Sequence, residues 1–97
     1  MTLKLARYVG QPCPYCGVIM EAPTHAGDKS RQASRDHAVV TKANGGRLNM
    51  ANRVVCCRAC NMEKGRRPIW AWWHDLQITN DPRAERVGAV WSTMRTE

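Results

Sequence analysis

The chain has 97 residues, and its 15 basic and 8 acidic residues give a formal net charge of +7. A chain of this length forms one domain with a modest apolar core, so a metal or a crosslink is expected to add stability. No apolar run approaches the roughly 18 to 20 residues that a membrane span requires. The charge favours a polyanionic partner, most simply nucleic acid, although it also serves solubility alone.

Positive charge is concentrated in the middle of the chain. Ten of the basic residues lie between Asp28 and Arg67, where there are three acidic residues. The N-terminal segment turns polar within its first seven residues and lacks the apolar core of a secretory signal. These features predict a cytoplasmic protein, and in that compartment paired cysteines favour a metal over a disulfide.

Residues 3–9 fit either a short strand or one helical turn.

Two Cys-x-x-Cys pairs lie further along the chain. The paired cysteines are Cys13, Cys16, Cys57 and Cys60. Two such pairs supply the four soft ligands of a tetrahedral Zn2+ ion, with buried or disulfide-bonded cysteines as the alternative. Cys56, the fifth cysteine, should point away from Cys57 in a strand, so it is interpreted as a small buried apolar residue.

The middle of the chain predicts a hairpin. Residues 18–20 fit a short strand, and residues 21–34 are rich in turn formers and predict a surface loop. The β-branched runs at 35–41 and 52–56 are expected to pair across a loop of about ten residues that contains the Asn-Gly-Gly sequence at 44–46.

Three helices are predicted after the second cysteine pair. Residues 61–64 begin a short helix that Gly65 weakens and Pro68 stops. Pro68 suits the first turn of the next helix, and an Asp-Pro pair at 81–82 suits the start of the third. Each of these two longer helices has one apolar face. The first face contains Ile69, Trp72, Trp73 and Leu76, and the second contains Val87, Val90, Trp91 and Met94.

A second group of residues has the chemistry of a hydrolytic site. Asp36 offers a hard carboxylate, and His37 offers a base that titrates near neutral pH. With Asn61, these residue types fit hydrolysis of a phosphodiester. Adjacent residues of a regular strand face opposite ways, so Asp36 and His37 converge on one phosphate only if the backbone bends between them. The simpler alternatives are a structural histidine and a helix-capping asparagine.

The motifs taken in order resemble the HNH endonucleases with a zinc-ribbon frame, over about residues 13–65. The motifs are Cys-Pro-Tyr-Cys-Gly at 13–17, Asp-His at 36–37, Gly-Gly at 45–46, Asn-Arg-Val-Val at 52–55, Cys-Arg-Ala-Cys-Asn at 57–61, and Lys64. The resemblance implies an α+β fold for a single domain, 1–97, with a zinc-stabilised ββα-metal core at 13–67 and a helical extension at 68–97. Stand-alone domains of this size resemble those of phages and mobile elements.

The resemblance also implies a mechanism. His37 would act as general base, Asn52 would hold the hairpin loop and the histidine, and Asn61 would be the third signature residue, where histidine is common. A Mg2+ or Mn2+ ion on Asp36 and Asn61 would stabilise charge during in-line attack by hydroxide, leaving 5′-phosphate and 3′-hydroxyl ends. Either nicking or double-strand cutting of DNA fits this chemistry.

Basic residues around this group are expected to contact the DNA backbone. They are Arg35, Lys42, Arg47, Arg58, Lys64, Arg66 and Arg67. Lys64 is equally well interpreted as a solvated side chain.

Two alternatives to a nuclease remain open. A zinc ribbon that binds nucleic acid without catalysis would keep the cysteines and the charge but would not need Asp36, His37 and Asn61. A protein-interaction domain is the other, because Trp70, Trp72 and Trp73 cannot all face one core. A homodimer or a protein partner at this helix is therefore also expected.

Overall fold

The computed structural model describes residues 4–23, 28–38 and 53–95. In these ranges the protein is a small α+β fold with one two-stranded sheet and three α-helices, which confirms the α+β part of the predicted fold class. The strands are β1 (Ala33–His37) and β2 (Arg53–Cys57), and one turn of 3-10 helix spans Leu5–Tyr8. The helices are α1 (Arg58–Lys64), α2 (Ile69–Ile78) and α3 (Ala84–Arg95).

The predicted hairpin pairing is confirmed. β1 and β2 are antiparallel, with Ala33 opposite Cys57 and His37 opposite Arg53. β1 starts inside the predicted loop and contains no β-branched residue, so its own propensity for strand structure is weak. Its pairing with β2, which contains two valines, outweighs that weak propensity. The part of the predicted first strand at 39–41 lies outside the described residues, as does the Asn-Gly-Gly turn.

Helix α1 begins three residues earlier than predicted, directly after β2. Its first two amides, on Arg58 and Ala59, donate to the carbonyls of Gln32 and Ser30 at 2.8 and 2.9 Å. These carbonyls satisfy N-terminal N–H groups that a side-chain cap would otherwise satisfy. Asn61 therefore lies inside the helix and does not cap it. The helix ends at Lys64, and Gly65 follows with a φ of 60°.

Helices α2 and α3 pack against each other, and their buried residues share one apolar core with residues of β2. Ile69, Trp72 and Leu76 are buried on α2, as the apolar spacing predicts, and Val87 is buried on α3. A Cβ at Gly88 would lie 2.7 Å from Trp73 Nε1, so the close helix contact requires glycine there. None of the helices in the described ranges has the length and apolar content needed to cross a membrane.

The tryptophans of α2 differ in exposure. Trp72 is buried and its ring meets the Tyr15 ring edge to face, with centroids 5.1 Å apart. Trp73 is partly buried, whereas Trp70 is 53% exposed. The three side chains thus do not share one core, and a partner contact at Trp70 stays a prediction.

Candidate metal centre

Four sulfur atoms converge from two distant parts of the chain. Their Sγ atoms all lie within 4.8 Å of one another, and they belong to Cys13, Cys16, Cys57 and Cys60. Cys16 Sγ and Cys57 Sγ are 3.7 Å apart. A Zn–S distance of ~2.3 Å places the sulfurs of a tetrahedron about 3.8 Å apart, so the cluster fits a zinc ion. The predicted set of four metal-binding cysteines is confirmed as a cluster that can hold a metal.

The local structure lowers the thiol pKa at one of these cysteines, Cys13, and raises it at Cys57 and Cys60. A hydrogen bond from the Cys60 side chain, with further bonds from backbone amides, lowers the pKa of Cys13 to about 4. The Cys57 and Tyr15 amides donate to Cys13 Sγ at 3.3 and 3.4 Å. Burial raises the pKa of Cys57 to about 11. Amide donors to sulfur are the contacts that orient metal ligands and stabilise their negative charge.

Cys56 is buried and lies outside the cluster, as its position in β2 predicts. Burial, and next the nearby Asp36 carboxylate, raises the pKa of this thiol. It is therefore a neutral packing residue.

Asp36 lies beside this centre in a buried polar cluster with Tyr15 and Lys64. Its Oδ2 accepts a 2.7 Å hydrogen bond from the Tyr15 hydroxyl, and its Oδ1 lies 3.0 Å from Lys64 Nζ. The ammonium also donates to the His37 carbonyl at 3.1 Å. Both carboxylate oxygens are thus bonded within the protein, and a lysine ammonium already supplies the neighbouring positive charge. In this arrangement Asp36 does not fit an open ligand for Mg2+ or Mn2+.

His37 and Asn61 both belong to the β1–α1 unit. The Asn61 Nδ2 group donates to the Arg35 carbonyl at 2.9 Å and to Ser34 Oγ at 3.1 Å. His37 is half-buried, and in the described part of the chain no hydrogen bond reaches its imidazole. Asp36 and His37 are consecutive in β1, which keeps its register through His37, so their side chains leave opposite faces of the sheet. The bend needed for convergence is not observed.

The predicted DNA-contacting residues occupy different environments. Arg58 and Arg66 are exposed, and Arg35 is half-buried. The Arg67 guanidinium bonds the Asp75 carboxylate at 2.8 Å. Lys64 requires a correction: its side chain is buried in the Asp36 ion pair, so it is neither solvated nor available to a phosphate. Asn52, Lys42 and Arg47 lie outside the described residues.

Two contributors to this region were not predicted. Tyr15 joins the cysteine turn to Asp36, and the only signal for it was an aromatic residue inside the Cys-x-x-Cys motif. Arg83 lies 5.5 Å from the centre of the Trp72 ring, forms an ion pair with Asp81 at 2.7 Å, and places Nη1 3.8 Å from Cys60 Sγ. No local motif identifies Arg83, because its partners come together only in the fold.

No protein family, no curated protein and no solved structure matches this chain. Its function is therefore inferred from its residues and their geometry.

Proposed function

We propose that this protein is a DNA endonuclease or nickase of the HNH type, built around a structural zinc centre. The observation that carries the proposal is the contact between α1 and β1. Asn61 on α1 donates to the carbonyl of Arg35, two residues before His37. The first and third signature residues of the resemblance thus lie on two elements that are bonded to each other. The cysteine cluster ties α1 and the neighbouring strand β2 to the N-terminal cysteine turn.

In this proposal His37 is the general base. Its imidazole is partly accessible and, among the described residues, has no hydrogen-bonding partner that would compete for a water molecule. His37 removes a proton from water, and the hydroxide attacks phosphorus in line. The 3′ oxygen leaves and takes up a proton from solvent water, so the products carry 5′-phosphate and 3′-hydroxyl ends. General base catalysis of this kind contributes about 100-fold to 10,000-fold.

The resemblance also implies a divalent ion on Asp36 and Asn61. Because the protein itself bonds both Asp36 oxygens, we assign no catalytic step to such an ion. Cleavage with and without added Mg2+ or Mn2+ tests whether such an ion is needed.

The second candidate function is a zinc module that binds nucleic acid without cutting it. The buried Asp36–Lys64 pair favours this alternative, since it gives Asp36 a structural role. Both candidates use the cysteine cluster and the net charge of +7.

The test is conversion of supercoiled plasmid by zinc-loaded protein, with Mg2+, with Mn2+ or with neither added, beside His37→Ala. His74→Ala is the matched control, because His74 is exposed on α2. Zinc content is measured in each sample, so that loss of the structural ion is not mistaken for loss of a catalytic one. The proposal predicts that His37→Ala cleaves about 100-fold more slowly or worse, while His74→Ala cleaves normally.

Two results would contradict this proposal. Equal cleavage by the wild type and His37→Ala would remove His37 as the base. Salt-dependent DNA binding without cleavage under any metal condition would favour the binding module.

A further inference from the structure

A cleft of about 650 Å3 separates β2 from the N-terminal segment. Residues 53–55 of β2 line one side, and the N-terminal segment supplies the polar residues Arg7, Tyr8 and Gln11 on the other. Neither the four cysteines of the metal centre nor Asp36 lines it. It is therefore a separate feature of the molecule.

The polar groups of the N-terminal wall have no hydrogen-bonding or ionic partners within the part of the chain that the structure describes, although the Tyr8 ring packs against the core. No hydrogen bond or ion pair there engages the Arg7 guanidinium, the Tyr8 hydroxyl or the Gln11 amide. Two arginines, Arg7 and Arg53, line the cleft, and no acidic residue is among its lining residues in the described ranges. The cleft is thus positively charged, with polar groups available to a ligand.

These groups match the parts of a nucleotide. A guanidinium forms paired hydrogen bonds with phosphate oxygens. A tyrosine ring stacks on a base of any sequence, and a glutamine amide can donate and accept hydrogen bonds at a base edge. The apolar remainder of the lining, which includes Met20, Val54 and Val55, suits the flat face of a base.

The cleft also lies next to the proposed catalytic base. Arg53 is the register partner of His37, and directly paired residues of antiparallel strands project from the same face. Paired strands are ~4.8 Å apart, and successive nucleotides of a DNA strand rise by ~3.4 Å. A strand whose phosphodiester faces His37 can therefore place a neighbouring nucleotide in the cleft.

We propose that this cleft binds one nucleotide of the DNA strand, with its phosphate on Arg7 and its base against Tyr8. That this nucleotide belongs to a DNA strand rests on the proposed function, whereas binding of a nucleotide in the cleft does not require cleavage. The nucleotide site fixes which phosphodiester is presented to His37, so Arg7 and Tyr8 are positioning residues.

The test is a titration of the zinc-loaded, 15N-labelled full chain with thymidine 5′-monophosphate, followed by NMR. Inorganic phosphate and thymidine are titrated separately. Shifts are expected at residues 7–12 and 53–55, and the nucleotide should bind about tenfold more tightly than either fragment. Arg7→Gln and Tyr8→Leu should each weaken binding by several-fold. Arg31→Gln, at an exposed arginine outside the cleft, should leave it unchanged.

Several results would overturn the proposal. These are shifts located elsewhere, equal affinity for phosphate and nucleotide, or normal binding by Arg7→Gln, whose exposed side chain leaves folding unaffected. Nucleotide binding at the cleft without plasmid cleavage would support the cleft and reject the nuclease. Cleavage that depends on His37 without nucleotide binding at the cleft would support the nuclease and reject the cleft as a nucleotide site.

Discussion

Lys64 Nζ lies 3.0 Å from Asp36 Oδ1, and the two side chains are 0% and 3% exposed. The Tyr15 hydroxyl and the His37 carbonyl complete the hydrogen bonding of the pair. Hydrogen bonds to the remaining polar groups stabilise a buried ion pair, and here they engage the second carboxylate oxygen and a second ammonium proton. The pair therefore joins α1, β1 and the N-terminal cysteine turn in one polar cluster.

Lys64→Met should destabilise the protein by about 3 to 5 kcal/mol, because it leaves the Asp36 carboxylate buried without its cation. Urea unfolding of the zinc-loaded protein measures the change. Arg66→Met, at an exposed position two residues away, is the control and should change stability little. The double variant Lys64→Met with Asp36→Leu should recover part of the loss. A loss below about 1 kcal/mol for the single variant would show that the pair contributes little.

A role of Asp36 as a metal ligand predicts that Lys64→Met binds Mn2+ more tightly than the wild type. In the wild type an added ion must displace the ammonium from Asp36 Oδ1, whereas in the variant that oxygen is free. Electron paramagnetic resonance of free Mn2+ measures the affinity of both proteins. Equal affinities would show that any bound ion has other ligands, which would remove Asp36 from the catalytic metal site.

Cys57→Ser should lose zinc and most of the folded structure, whereas Cys56→Ala should keep both. The two residues are adjacent and both are buried, but Cys56 lies outside the sulfur cluster. Metal content and far-ultraviolet circular dichroism test this pair of variants. Retained zinc in Cys57→Ser, or lost zinc in Cys56→Ala, would contradict the ligand set.

Zinc affinity should fall as the pH falls. The ligands are thiolates, and burial raises the pKa of Cys57 to about 11, so this thiol is protonated at neutral pH before metal binds. Zinc binding therefore releases protons, and a higher proton concentration opposes it. Calorimetric titrations in buffers of different ionisation enthalpy count the released protons. An affinity that is constant between pH 6 and pH 8 would contradict thiolate ligation.

The sequence predicts those features that depend on local spacing. The two Cys-x-x-Cys pairs identify all four sulfurs of the cluster, and the apolar periodicity identifies the buried face of α2. The start of α1 was missed, because its first amides bond to carbonyls of a distant loop. The burial of Lys64 was missed for a similar reason. Its partner Asp36 is 28 residues away, and the two meet only after α1 packs on β1.

Tyr15→Phe should weaken the attachment of the cysteine turn to β1 without removing zinc. The change deletes the hydroxyl that donates to Asp36 Oδ2 and keeps the ring that packs against Trp72. Removing one hydrogen-bond donor from a buried carboxylate lowers the free energy of unfolding by about 1.5 to 3 kcal/mol. Urea unfolding should therefore show a decrease of that size, with one zinc still bound. Tyr8→Phe is the matched control, because no hydrogen bond of the described chain uses its hydroxyl. Equal stability of Tyr15→Phe and the wild type would show that Asp36 is satisfied by Lys64 alone.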